Sequence, residues 1–98
     1  MEKNKKSVFK VGKMHILENN GPLKAFCDLI LFDSFIVKGL RVVEGKEGLF
    51  VGMPSEQGRD GKWFDTFHPL NRDTRKAVEE HILVEYIKKN EGHAESIT

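Results

Sequence analysis

Five cations stand where they could do shared work. Arg59 and Lys62 flank an Asp60-Gly61 turn signal, and Arg72, Arg75 and Lys76 crowd the start of a predicted helix. Guanidinium and ammonium groups set along one edge would neutralise phosphates, which makes these five the candidate nucleic-acid-binding residues. Two of them have a local competitor for that role. Arg75 faces Glu79 and Lys76 faces Glu80 at i, i+4, pairs worth about a few tenths of a kcal/mol each. Cations at a helix N-terminus oppose the helix dipole, however, so their concentration there works against stability and favours function. Trp63 and Phe64 could stack bases beside them, although an alternating strand would turn at least one of the two into core.

Catalytic and metal chemistry find less support. Asp65 and His68 lie three residues apart and would suit a general-base pair, but no serine or second cysteine is tied to them, and a His68 that caps the turn before Pro69 is the simpler role. His15, His81 and His93 are scattered, and the lone Cys27 supplies neither a disulfide nor paired thiolates, so neither a metal nor any other cofactor is expected. The glycines at 45, 48, 52, 58 and 61 form no phosphate-cradling run and read as turn punctuation. The sequence reads as that of a non-enzyme with no small-molecule substrate.

The elements that must position these residues follow from pattern. Val8–Leu17 reads as a strand closed by the turn Asn19-Asn20-Gly21-Pro22. In 23–32, Leu23, Ala25, Cys27, Leu29 and Leu31 line one face as clean core, while Lys24, Phe26, Asp28, Ile30 and Phe32 make a half-apolar second face, which implies partial cover by another element or by a second subunit. Asp33-Ser34 turns the chain into a third strand, 35–44, with Gly39 at a bulge or close approach. The apolar run Leu49–Met53 predicts a central strand buried on both faces and ended by Pro54. Ser55–Gly61 reads as a polar loop and Lys62–Phe67 as a fifth strand. Asn71 then caps a helix whose stripe Val78, Ile82, Tyr86 is widened by Leu83, Val84 and Ile87, with Gly92 as its stop. The expected architecture is α+β: an antiparallel sheet of about five strands followed by a C-terminal helix. It implies a basic flexible tail at 1–7, a domain at 8–91 and a flexible tail at 92–98.

Composition bounds the function. Ninety-eight residues allow one domain with a small core, for which a dimer interface would be a natural supplement. The net charge of +1 is unevenly spread: residues 1–13 carry five Lys against one Glu, a balance of +4, and the remainder carries −3. Binding of nucleic acid through bulk charge is therefore disfavoured against a local patch or the tail. Lys10 and Lys13 interrupt any signal-peptide core, and the longest uncharged apolar stretch, Leu29–Phe32, cannot span a bilayer. A soluble protein with no membrane partner, in a reducing cytoplasm, is the expectation.

Ordered motifs add a resemblance. Leu40-Arg41-Val42-Val43-Glu44-Gly45, Gly48-Leu49-Phe50-Val51-Gly52-Met53-Pro54-Ser55, Asp60-Gly61, Asp65-Thr66-Phe67-His68-Pro69-Leu70-Asn71, Thr74-Arg75 and Glu85-Tyr86 follow one another as in the bacterial SpoVG (stage V sporulation protein G) family. The chain resembles that family over residues 8–88. The resemblance implies a small cytoplasmic homodimer that binds DNA or RNA and regulates gene expression, with links to septation and sporulation. The family usually carries a Lys-Arg type pair after Met-Pro-Ser, whereas here Glu56 and Gln57 follow, leaving Arg59, Lys62, Arg72, Arg75 and Lys76 as substitutes. That exchange, together with the −3 balance of the core, motivates a rival: a protein-interaction module of division or sporulation control with weak or no nucleic-acid binding.

Overall fold

The structure, a computed structural model, describes residues 8–19 and 21–97, with side chains through Glu91. The expected tail at 1–7 and the side chains of 92–98 lie outside the described residues. Four strands, β1 (Phe9–Ile16), β2 (Leu23–Leu31), β3 (Phe35–Gly45) and β4 (Gly48–Gly52), form an antiparallel sheet in the order β1-β2-β3-β4. Short connections dictate that order, since a strand followed by a tight turn pairs with its predecessor. Asn19 and Gly21 take positive φ (57° and 69°) in the first turn. The second falls one residue earlier than expected, on Phe32 and Asp33 (φ 52° and 53°), with the Ser34 N–H donating to the Leu31 carbonyl at 2.8 Å. Two central residues at positive φ match the right-handed twist of the flanking strands. Gly39, at φ 92°, sits where the β2–β3 register shifts, so the bulge expected there is present.

The role expected for 49–53 is corrected. β4 is an edge strand, and only one of its faces is covered: Val51 is buried, whereas Phe50 is exposed. The chain leaves the sheet at Pro54, which has no N–H to extend a ladder, and among the described residues no other strand pairs with the free edge of β4. Its continuous apolarity comes from a core face interleaved with an apolar residue on the open face. The reading of 55–61 as loop is corrected as well. Ser55–Gln57 forms β5, which pairs antiparallel with β6 (Trp63–Asp65) in a separate two-stranded sheet. A lone short strand would leave its backbone groups unpaired, and β5 is the partner that 62–67 required.

The helix α1 (Arg72–Ile97) begins as expected, with Asn71 Oδ1 accepting the Thr74 N–H at 2.8 Å. Val78, Ile82 and Tyr86 are buried against one sheet face, in a core shared with Leu29, Leu40 and Val42. Leu83 is half-buried against the same core, while Val84 and Ile87 remain exposed. The expected stop at Gly92 is overturned, because the helical backbone continues to Ile97. A helical glycine costs only about 1 kcal/mol relative to alanine, and Glu91, Ala94 and Glu95 are good helix formers around it.

Because Ile82 is fully buried and Leu70 is 93% exposed, their truncations should separate cleanly. Ile82→Ala should lose about 2–5 kcal/mol in urea unfolding, and Leu70→Ala should stay within about 0.5 kcal/mol of the parent.

Candidate nucleic-acid interface

The β5–β6 hairpin is held at both ends by hydrogen bonds. At its tip the Gly58 N–H donates to the Lys62 carbonyl (2.8 Å), the Lys62 N–H to Asp60 Oδ1 (3.0 Å), and Gln57 Nε2 to the Gly61 carbonyl (2.9 Å). Gly61 takes φ 84°, a conformation that a side chain would strain. At its base the Thr66 N–H and Oγ1 both donate to the Pro54 carbonyl. Arg59 and Lys62 are thus presented, exposed, on one ordered turn.

The expectation that either Trp63 or Phe64 would be core is wrong, since they are 68% and 52% exposed. A two-stranded ribbon has no second layer, so residues pointing to opposite faces both meet water. Gln57 stands opposite Trp63 and Glu56 opposite Phe64, so the two residues found in place of the family's basic pair flank the two exposed rings.

Residues 66–71 connect this hairpin to α1. There His68 Nδ1–H donates to the Pro69 carbonyl at 3.1 Å, which fits the turn-capping role better than a base paired with Asp65. Arg72, Arg75 and Lys76 follow at i, i+3 and i+4 and therefore share one helix face; Arg72 and Lys76 are exposed and Arg75 is half-buried. Among the described residues the ion pairs are Lys10–Asp33, Lys24–Glu44 and Lys38–Asp28. The pairs Arg75–Glu79 and Lys76–Glu80 are not closed, and their cations keep their charge for another partner. The structure therefore collects the five candidates into two groups, one on the hairpin tip and one on the first turns of α1.

Sequence reasoning missed a further set. Lys13 and Lys38 line one hollow on the sheet, with Arg41 in the adjoining row, and what sets these positions is strand register, which composition does not carry. The half-apolar second face of β2 was the available signal.

Among the described residues no group of three or more His, Cys, Asp or Glu is placed to hold a metal ion, and no helix is long and apolar enough to cross a membrane. Cys27 is buried in the core, where burial, with the adjacent Asp28 charge adding to it, pushes the thiol from 9.0 up to about 11.

The structure is thus a small α+β protein with a helix on one face of an antiparallel meander, an ordered hairpin with Arg59 and Lys62 at its tip, and a helix start that carries Arg72, Arg75 and Lys76. The chain belongs to the SpoVG family, whose model matches residues 7–88. It is 38% identical over 86 residues to SpoVG 2 of Listeria monocytogenes, a protein named for septation, covering 88% of this chain and 84% of that one. It is 42% identical over 69 residues to the SpoVG protein of Archaeoglobus fulgidus (70% and 81% covered) and 44% identical over 68 residues to that of an Anaeromyxobacter strain (69% and 70%).

The raised Cys27 thiol sets a pH dependence. Its neutral form is favoured in the folded state, so the stability it contributes is complete below 9.0 and is lost as the pH rises through about 11. Alkylation by iodoacetamide at pH 8 should be slow in the folded protein and fast in guanidinium. Rapid alkylation of folded protein at pH 8 would show an accessible thiolate instead.

Proposed function

We propose that this protein is a non-catalytic, cytoplasmic, homodimeric regulator that binds DNA or RNA through phosphate contacts from Arg59, Lys62, Arg72, Arg75 and Lys76. The observation that carries the reading is the freedom of those cations: none is ion-paired among the described residues, although Glu79 and Glu80 lie one helical turn away from Arg75 and Lys76. The exposed Trp63 and Phe64 add stacking surface on the same hairpin as Arg59 and Lys62. Membership of a family whose relatives are named for septation connects the binding to control of cell division. Dimerisation is supported by Val84 and Ile87, which leave an apolar strip on the helix beside the one used by the core. The rival reading, a protein-interaction module, draws on Glu56, whose carboxylate stands beside the exposed ring of Phe64 and would repel phosphate there.

A salt titration separates the two. Phosphate binding makes log affinity fall with log salt by about 0.9 for each phosphate neutralised on duplex DNA. Replacing Arg59, Arg72 or Arg75 with Gln should each weaken binding and flatten that slope by about one. Glu56→Lys with Gln57→Arg should strengthen it, because a carboxylate gives way to two cations on the same hairpin. Silence of all these substitutions would favour the rival, and a monomer mass in sedimentation at micromolar concentration would remove the dimer.

A further inference from the structure

The face of the sheet turned away from α1 has no covering element among the described residues, and its composition is unlike that of an ordinary solvated face. Residues opposed across neighbouring strands share a side, so His15, Phe26, Arg41 and Gly52 form one row across all four strands. Phe26, on a central strand, is 41% exposed in that row. Beside it the Arg41 guanidinium lies over Gly52: a Cβ at position 52 would sit 2.8 Å from Nη2, and Nη2 donates to the Met53 carbonyl at 3.0 Å. The contact uses one of five guanidinium donors and fixes a planar cation over the β4 edge of the same row.

The strand irregularities converge on the same place. The β1–β2 register shifts between Val11 and Met14, and the β2–β3 register between Cys27 and Leu29, so bulged segments approach Asp28 from both sides. Bulges re-aim side chains. Here they gather Lys13, His15 and Lys38 with Phe26, Asp28 and Gly39 around a hollow of about 240 Å³. Lys38 Nζ holds Asp28 Oδ2 at 3.3 Å, while Lys13 has no ion-pair partner among the described residues. The hollow is positively charged, with an aromatic ring at its rim.

We propose that this open face binds a single-stranded nucleic acid segment, with a base stacked on Phe26 and neighbouring phosphates held by Lys13, Lys38 and Arg41. The inference rests on the nucleic-acid reading above and adds a second, strand-selective surface to it. An exposed ring among cations is the pairing that unstructured strands require, whereas a base inside a duplex already has both faces stacked. A second copy of the chain fits less well. A two-fold contact centred here would bring the cations Lys13, Lys38 and Arg41 of one copy into the same interface as those of the other and strip water from them.

Fluorescence anisotropy at low salt, with labelled oligodeoxythymidylate, oligouridylate and a dA·dT duplex, tests the proposal on the full chain. Phe26→Leu keeps apolar bulk but removes the ring, so it should weaken binding of at least one single strand by about tenfold while leaving the duplex unchanged. Phe26→Tyr should retain single-strand binding, which controls for folding. Arg72→Gln with Arg75→Gln should weaken every probe. Unchanged single-strand affinity in Phe26→Leu overturns the inference, as does a shift from dimer to monomer in sedimentation of that variant, which would assign the face to a second copy. If Phe26→Leu loses single strands while the arginine variants are silent, the sheet face stands and the helix edge falls. If the parent protein binds none of the probes, the proposed function fails and this inference fails with it.

Discussion

A four-stranded sheet has two faces, and the described residues supply one helix. Everything else in the molecule depends on how that single apolar stripe is spent. Val78, Ile82 and Tyr86 close one face over Leu29, Leu40 and Val42, and among the described residues no charged side chain is buried with them. Burial of this stripe takes the apolar surface of the helix and of one sheet face out of water together, and it is the interaction on which the layering of the fold rests. Among the described residues the opposite face has no such cover. It retains Phe26, Ile36 and Phe50 beside charged neighbours instead of becoming an alternation of purely polar residues.

The same economy explains the hairpin. β5 and β6 contribute nothing to the main core and are held by their own ladder and by the Thr66–Pro54 hydrogen bonds. An element relieved of core packing can carry residues that a packed strand would reject, here two exposed aromatics, a cationic tip and Glu56. Exchange of the family's usual basic pair for Glu56 and Gln57 is tolerable for the fold, since these side chains lie on an open ribbon. The consequences of that exchange fall on electrostatics.

Much of this was legible in the residues before any coordinates. The core face of β2, the Asn71 cap, the buried stripe of α1 and the turns at Asn19–Gly21 and Asp60-Gly61 are local signals, each carried by side-chain period or by backbone freedom at one or two positions. The places of Arg59 and Lys62 on a turn and of Arg72, Arg75 and Lys76 at a helix start were legible as well, because a turn signal and a helix start are both properties of a short stretch of chain. The central strand expected at 49–53 fails for a reason that no local pattern carries. An apolar run such as Leu49–Met53 states that its residues avoid water without stating how many faces the rest of the molecule will cover, so an edge strand was taken for a central one.

Partner and register lie beyond local pattern for the same physical cause. Whether Ser55–Gln57 is loop or strand depends on Trp63–Asp65 arriving opposite it, and only that pairing decides that both Trp63 and Phe64 meet solvent. Lys13, Lys38 and Asp28 are separated by ten residues or more and meet because two bulges displace their strands toward one point. The sequence alone determined the α+β class, the identity of the core and the family, through side-chain types and their order. The tertiary structure decided which strands are edges, which aromatics are free and which charges share a surface, because hydrogen-bond register between distant segments sets those distances.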